Sequence, residues 1–356
     1  MYIPYGRQSI DDEDIRAVTE VLCSEFLTQG PAVPAFEHAV SSYCGVNFAF
    51  AMNSATSALH VACLALGVSP GDLVWTTAIS FVASANCARY CGADVDFVDI
   101  DPNSYNICPK HLEQKLRQAE ERGKLPKVVI PVHLCGQPCD MIAIYTLSKQ
   151  YGFRIIEDAS HAIGGRYLGE PIGNCKYSDI TVFSFHPVKI ITTAEGGMAV
   201  TNSDELGARI ARLRSHGITR EAAKMKHAPD GPWYYEQLEL GYNYRMTDVQ
   251  AALGISQMKK LDDFVSARHQ LAKIYDEMLQ SAPLQIPWRD VANYSGFHLY
   301  VVRLKLAEIH ATQKDIFERM RAAGIGVNLH YIPIYRQPYY AAMGFDPQDW
   351  PEAEKY

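Results

Sequence analysis

The stretch that decides the fold is Phe183-Ser-Phe-His-Pro-Val-Lys-Ile-Ile-Thr-Thr-Ala-Glu-Gly-Gly197, in the middle of the chain. Apolar residues over 180–185 predict a buried strand, and residues 198–201 predict a second strand after a short turn. Lys189 lies in that turn. Because an ammonium group is costly to bury, a lysine between two core strands needs a reason. It is either an amine that forms an imine with a carbonyl cofactor or a turn lysine in solvent, and this stretch alone favours the second.

On both sides of this stretch, short apolar strands alternate with amphipathic helices. The further strands are predicted over residues 48–52, 73–76, 95–98, 128–131 and 153–156. This alternation predicts an α/β fold, with a mostly parallel mixed sheet sandwiched between helices.

The C-terminal part of the chain has a different pattern. One long helix, or two joined helices, is predicted over residues 247–279, followed by a smaller α+β region. Its predicted elements are strands over 298–304 and 326–331 and a helix over 312–323. We therefore expect a large domain with an N-terminal arm over residues 1–246, and a linking helix with a small domain over 247–356.

Composition narrows the class of protein. The 356 residues are 48% hydrophobic and carry a formal net charge of −7, with Lys and Arg scattered, which argues against a nucleic-acid surface. The sequence has neither a run of about 18 apolar residues nor a signal-peptide core, so we expect no membrane partner. Nine cysteines, an odd number, indicate reduced thiols and a cytoplasmic protein.

Several common site signatures are absent from the sequence. The glycine fingerprints of dinucleotide and NTP sites, H-E-x-x-H and G-x-S-x-G do not occur. His133-x-Cys135-x3-Cys139 has two metal-ligating residue types, but it lacks a second ligand pair and contains Gly136 and Pro138, so we expect no metal.

Ligands of open α/β sheets bind where strands end, and four predicted strands end in polar or aromatic residues. Each position alone has an ordinary explanation as a helix cap or a core ring. The positions are Ser54-Ala-Thr56 at a helix start, Phe81, Asp158 with His161, and Ser184 with Lys189. Together they supply an amine, a carboxylate, a flat ring and hydroxyls at a helix N-terminus. Pyridoxal phosphate (PLP) requires this combination.

Five ordered motifs make the chain resemble a known family over essentially its whole length. The motifs are Asn53-Ser-Ala-Thr-Ser-Ala-Leu59, Glu157-Asp-Ala-Ser-His161, Phe183-Ser-Phe-His-Pro-Val-Lys189 with Glu195-Gly-Gly197, Gly241-Tyr-Asn-Tyr-Arg-Met-Thr-Asp248 and His330-Tyr-Ile-Pro-Ile-Tyr335. They resemble the DegT/DnrJ/EryC1/StrS family of sugar aminotransferases, which are PLP enzymes of fold type I.

The resemblance implies roles for the cofactor residues. Lys189 would be the Schiff-base lysine and proton shuttle, Asp158 would pair with the pyridine nitrogen, and His161 would lie on the hydroxyl side of the ring. Three residues would hold the phosphate: Ala55, Thr56 and Ser184. Asn243 would reach the same phosphate in the partner subunit, so a homodimer is expected.

The resemblance also implies a substrate. Residues 5–8, 26–31 and 190–195 are most similar to one branch, which forms 4-amino-4,6-dideoxy-N-acetyl-β-L-altrosamine on UDP for pseudaminic acid. A UDP-linked 4-keto sugar would then be the amino acceptor and L-glutamate the donor. The residues implied at the sugar nucleotide are Tyr5, Glu25, Phe26, Leu27, Thr28, Asn328, Leu329, His330 and Tyr331.

Alternatives remain open from the sequence. A different nucleotide 4-keto or 3-keto sugar could be the acceptor, and a non-catalytic regulator could keep the fold. Dehydratases of the family replace the lysine by histidine, which Lys189 argues against. Relatives normally continue past the equivalent of Tyr356, so the small domain is expected to be incomplete.

Overall fold

A computed structural model describes residues 2–356 of the chain. Over this range the chain forms twelve α-helices and thirteen strands. The helices are α1 Asp12–Leu22, α2 Ala32–Cys44, α3 Ala55–Ala65, α4 Ala83–Tyr90, α5 Pro109–Glu121, α6 Met141–Tyr151, α7 Asp204–Leu213, α8 Asp248–Met258, α9 Leu261–Leu279, α10 Gln313–Ala322, α11 Pro338–Ala341 and α12 Pro351–Lys355. The strands are β1 Phe48–Met52, β2 Leu73–Thr77, β3 Asp94–Val98, β4 Val128–Ile130, β5 Arg154–Asp158, β6 Arg166–Tyr167, β7 Glu170–Pro171, β8 Ile180–Ser184, β9 Gly197–Thr201, β10 Ile218–Thr219, β11 Glu236–Gln237, β12 Leu284–Gln285 and β13 Arg303–Leu304.

Seven strands form the central sheet, in the order β1-β9-β8-β5-β4-β2-β3. The neighbours from β8 to β3 pair in parallel, whereas β9 is antiparallel to both β8 and β1. The ends of β1, β2, β4, β5 and β8 therefore share one edge with the start of β9. The predicted α/β fold with a mostly parallel mixed sheet is confirmed.

Both faces of the sheet are covered, which explains why the residues at the centre of its inner strands are mostly apolar. All five residues of β8 are buried, and they alternate between two cores. Val182 packs in the core beneath α3 and α4, whereas Phe183 packs in the core beneath α2 and α8. Side chains alternate across a strand, so a single apolar run serves both layers.

The long helical segment is divided into two helices, α8 and α9, which meet at Lys259 and Lys260. Thr247 caps α8 in a reciprocal pair with Gln250. Helix α8 packs against α1 and α2, and at Gly254 a Cβ would lie 2.7 Å from the Phe36 ring. Glycine is therefore required for this close approach.

The prediction of strands over residues 298–304 and 326–331 is wrong in detail. Only Arg303–Leu304 forms a ladder, with Leu284–Gln285. The backbone of Gly326 donates to Ile3, and the backbone of Leu299 donates to Cys135. These hydrogen bonds go to the N-terminal arm and to a loop of the central domain rather than to a neighbouring strand. The domain division at residue 246 stays a proposal.

In the structure, His133 and Cys139 of the sequence motif that could have suggested a metal site contact other groups of the protein. His133 Nδ1 accepts from the Cys139 backbone N–H at 3.0 Å, and its Nε2 lies 3.6 Å from Glu157. Within residues 2–356, no three His, Cys, Asp or Glu side chains are grouped as a metal would require. In the same range, no helix has the length and apolar character needed to cross a membrane.

Candidate active site

A cavity of about 800 Å³ opens at the sheet edge where the strands end. It brings together seven of the eight predicted cofactor residues: Ala55, Thr56, Phe81, Asp158, His161, Ser184 and Lys189. Four predicted substrate residues also line it: Tyr5, Asn328, His330 and Tyr331. Residues distant in sequence thus converge because the parallel strands deliver their ends to one edge.

One end of the cavity is built for an anion. Ser54 caps α3 by accepting from the Ser57 N–H, and the N–H groups of Ala55 and Thr56 have no partner within the described chain. The first N–H groups of a helix carry the positive end of its dipole. Ser184 lines the cavity from the end of β8. A phosphate would satisfy these donors.

Asp158 is a buried carboxylate at the end of β5, with 4% exposure. The Ser84 hydroxyl donates to one carboxylate oxygen at 2.7 Å, and the Ser160 hydroxyl donates to the other at 2.6 Å. The Ser160 N–H adds a third bond at 3.1 Å. These donors fix the carboxylate in the orientation in which it meets the cavity.

Lys189 follows β8 in a turn closed by its own N–H, which donates to the His186 carbonyl at 2.9 Å. The side chain is partly buried and lines the cavity. Loss of hydration lowers the pKa of Lys189 to about 8, against the opposing attraction of Asp158. The solvent-exposed turn lysine considered from the sequence is therefore not what the structure contains.

His161 is held by two contacts. The Cys135 N–H donates to its Nδ1 at 3.2 Å, and its Nε2 lies 3.3 Å from the Tyr331 hydroxyl. Burial, followed by the charge of Lys189, lowers the pKa of His161 well below the usual range. The imidazole is therefore neutral at physiological pH.

Phe81 is not a core residue. Its side chain is 57% exposed, lines the cavity and lies 6.3 Å from the Tyr331 ring, centroid to centroid. An exposed ring at a cavity wall is available for stacking on a flat ligand.

The structure does not bring all the predicted residues to this cavity. Asn243 is exposed and lies outside the cavity of its own chain. Exposed positions outside the cavity also include the substrate residues Glu25, Phe26, Leu27, Thr28 and Leu329.

Sequence reasoning missed three residues that the structure places here: Ser84, Ser160 and His298. Ser160 lies inside a motif that was recognised, whereas Ser84 lies in α4 and shares a hydrogen bond with Ser80, which precedes that helix. The motif could have identified Ser160, but the sequence around Ser84 carries no such signal. His298 lies in an apolar stretch with no local signal for a site.

The residues present fit pyridoxal phosphate. The unpartnered N–H groups of Ala55 and Thr56 match its phosphate, and Asp158 matches its ring nitrogen. Lys189, with its lowered pKa, matches its aldehyde carbon.

Comparison with known proteins agrees with this geometry. The model of the DegT/DnrJ/EryC1/StrS aminotransferase family matches residues 8–356. The UDP-4-amino-4,6-dideoxy-N-acetyl-beta-L-altrosamine transaminase of Campylobacter jejuni is 42% identical over 344 residues, which cover 96% of this chain and 86% of the relative.

Two solved structures have the same fold. Helicobacter pylori PseC, an aminotransferase involved in the biosynthesis of pseudoaminic acid, is 31% identical with a TM-score of 0.88, over 99% of this chain and 91% of that chain. Spr1654 from Streptococcus pneumoniae, in its PLP form, is 28% identical with a TM-score of 0.87, over 100% of this chain and 91% of that chain. The chain therefore belongs to the DegT/DnrJ/EryC1/StrS aminotransferase family and is one of its PLP-dependent sugar aminotransferases.

Proposed function

We propose that this enzyme transfers the amino group of L-glutamate to carbon 4 of a UDP-linked 4-keto-6-deoxy-N-acetylhexose. The products would be UDP-4-amino-4,6-dideoxy-N-acetyl-β-L-altrosamine and 2-oxoglutarate. The observation that carries the proposal is Lys189, a partly buried amine with a pKa lowered to about 8, in a cavity with Asp158 and an anion site. The named C. jejuni relative supports the choice of sugar.

Each cofactor residue has a task that follows from its surroundings. Bound PLP supplies an electron sink for the carbanion formed at the amino-bearing carbon. Asp158, oriented by Ser84 and Ser160, would accept the hydrogen bond of the protonated ring nitrogen. Lys189 would carry the proton between the two reacting carbons, because its amine is readily deprotonated near neutral pH.

Binding groups would keep the ring and the sugar in place. The N–H groups of Ala55 and Thr56, with the Ser184 hydroxyl, would hold the phosphate, and Phe81 would cover the ring. Tyr5 packs 5.7 Å from the His330 ring, centroid to centroid, at the cavity mouth. The substrate side of the cavity would be formed by Tyr5, Asn328, His330 and Tyr331.

We also propose a homodimer, in which Asn243 completes the partner's phosphate site. Residues 25–28 lie beside this segment, since Thr28 pairs with Thr247. Their contact with a sugar nucleotide would therefore be made across the dimer. The nine cysteines are free thiols, which fits the proposed cytoplasmic location.

Incubation of the holoprotein with L-glutamate and a panel of UDP-4-keto and UDP-3-keto sugars tests the proposal. We expect 2-oxoglutarate to form together with one aminated sugar, identified by mass spectrometry and NMR. Lys189→Ala should lower the rate by roughly 10²–10⁴-fold or more, because positioned proton transfer contributes that much. Lys314→Ala, on an exposed helix face, is the matched control. If the altrosamine precursor is not aminated while another sugar is, the choice of sugar is wrong.

A further inference from the structure

His298 is a polar side chain in the cavity that the proposed function leaves without a task. It is 5% exposed and lines the cavity, and its ring contacts the His161 ring at a tilt of 46°, with a centroid distance of 4.4 Å. Its backbone carbonyl accepts from Arg268 at 3.0 Å. The ring is thus fixed on a rigid backbone rather than carried by a free loop.

The two nitrogens of His298 have different surroundings. Nδ1 is enclosed and has no hydrogen-bond partner among the described residues, whereas Nε2 keeps access to the cavity that the side chain lines. An enclosed N–H without an acceptor is rarer in proteins than an enclosed lone pair without a donor. The neutral tautomer with its proton on Nε2 is therefore favoured, and it presents an N–H to the cavity.

His161 has the same tautomer for an independent reason. Its Nδ1 accepts from the Cys135 N–H, so its proton is also on Nε2. Burial lowers the pKa of His298, as it lowers that of His161, so neither ring is charged at physiological pH. Both imidazoles are therefore neutral. The Nε2 of His161 already lies 3.3 Å from the Tyr331 hydroxyl, so among the described residues only the Nε2–H of His298 is left without a partner.

We propose that the Nε2–H of His298 donates a hydrogen bond to one ligand oxygen on the Lys189 side of the cavity. This inference rests on the proposed function. The oxygen is a hydroxyl, oxyanion or carbonyl oxygen, and two ligands could supply it: the ring hydroxyl of the cofactor or an oxygen of the sugar. A neutral donor suits an oxygen acceptor near the amine, because it adds no positive charge that would favour loss of the Lys189 proton.

Three substitutions separate hydrogen bonding from packing. His298→Phe keeps a stacking ring and removes both nitrogens, and His298→Asn places an amide near Nδ1. His298→Gln places an amide N–H near Nε2 and should restore binding. His269→Phe is the matched control, since His269 stacks on Tyr294 outside the cavity at 3.9 Å.

Two measurements identify the source of the oxygen. The first is the dissociation constant of pyridoxal 5′-phosphate, and the second is the KM of the keto sugar that wild type aminates, compared with the rate of the glutamate half-reaction. We expect His298→Phe and His298→Asn to weaken one of these by about tenfold, the factor that one hydrogen bond of about 1.4 kcal/mol represents. His298→Gln should stay within about threefold of wild type on the scale of such bonds.

A change in the cofactor constant assigns the oxygen to the ring hydroxyl, and a change in KM alone assigns it to the sugar. The proposal is overturned if neither quantity changes in folded His298→Phe, or if His298→Gln binds no better than His298→Phe. If wild type aminates no sugar of the panel, the proposed function fails, and the cofactor constant alone decides this inference.

Discussion

Lys189 differs from an ordinary surface lysine because of its neighbours. Burial disfavours its charged form, and the three nearby imidazoles of His161, His298 and His330 are each held neutral in the same way. Asp158 opposes the effect only in part. The amine is therefore available as a base in a pH range where exposed lysines are protonated.

Lys189 should be labelled by acetic anhydride, which reacts with neutral amines, at lower pH than the other lysines of the chain. In cofactor-free protein its labelling rate should be half-maximal near pH 8, fall as protonation increases below that pH and level off above it. Exposed lysines generally titrate near 10.4, so their rates should continue to rise. Peptide mass spectrometry over a pH series measures every lysine at once. A Lys189 profile that coincides with that of exposed Lys314 would contradict the assignment.

The sequence revealed the charged residues of the site and not the residues that orient them. Lys189 and Asp158 follow predicted strands inside recognisable motifs, so their convergence could be expected. Ser84 lies within helix α4, where a serine has many ordinary explanations, and only the fold shows that its hydroxyl meets Asp158. His298 was hidden in an apolar stretch because its role depends on a ring that lies far away in sequence.

Among the elements, the junction of β9 with α3 controls the anion site. Gly197 lies where β9 begins, and a Cβ there would overlap the backbone of Ser54 and Ala55. The N–H groups of Ala55 and Thr56, which we propose hold the phosphate, belong to this same turn. Glycine is therefore needed for close packing of a strand on a helix N-terminus, although its φ is not positive.

Gly197→Ala should destabilise the protein by about 1–3 kcal/mol, which is typical when a methyl group is forced into a packed site. It should also weaken binding of pyridoxal phosphate, because the α3 N-terminus must move. Thermal unfolding with and without the cofactor measures both effects. Gly6→Ala is the control, since its Cβ would lie at an ordinary 3.6 Å from Val188. An equal, small loss of stability in the two variants would show that the junction tolerates the methyl group.

The C-terminal segments show where the prediction of strands from local sequence fails. Residues 298–304 and 326–331 have the apolar character of strands, but only Arg303–Leu304 pairs as a strand. A strand also needs a neighbouring strand, and the backbone of Gly326 instead bonds to Ile3 near the other end of the chain. Such nonlocal pairing has no signature in a local window of sequence.

For the whole molecule, the central sheet was predictable because it is built from repeated local units. Most of its strands have an apolar centre, and β1, β2, β3 and β9 are each followed directly by a helix. The sheet order and the place where β9 reverses direction are properties of the assembled chain. In the proposed homodimer, a complete active site would be a property of two chains rather than of one.

Asn243 is the residue that would complete the partner's site in the proposed homodimer. Its neighbours are fixed to the end of α7, since Tyr242 donates to the Leu213 carbonyl at 2.7 Å and Tyr244 donates to the Arg214 carbonyl at 3.0 Å. The Asn243 side chain is nevertheless exposed and directed to no residue of its own cavity. A rigid, exposed polar residue of this kind suits contact with a second subunit.

Mixed dimers of Lys189→Ala and Asn243→Ala subunits test this arrangement. If Asn243 acts across the dimer, one site of each mixed dimer lacks both residues, and the other has the intact Lys189 of one subunit and the intact Asn243 of its partner. Co-expression with two affinity tags and sequential purification isolates the mixed species. We expect each parent homodimer to be nearly inactive or to bind the cofactor weakly, and the mixed dimer to regain one complete site with wild-type cofactor affinity.

Lys314→Ala paired with Asn243→Ala gives the same complete site without loss of Lys189 and serves as the control. A mixed dimer no more active than the average of its parents would place Asn243 in the site of its own chain.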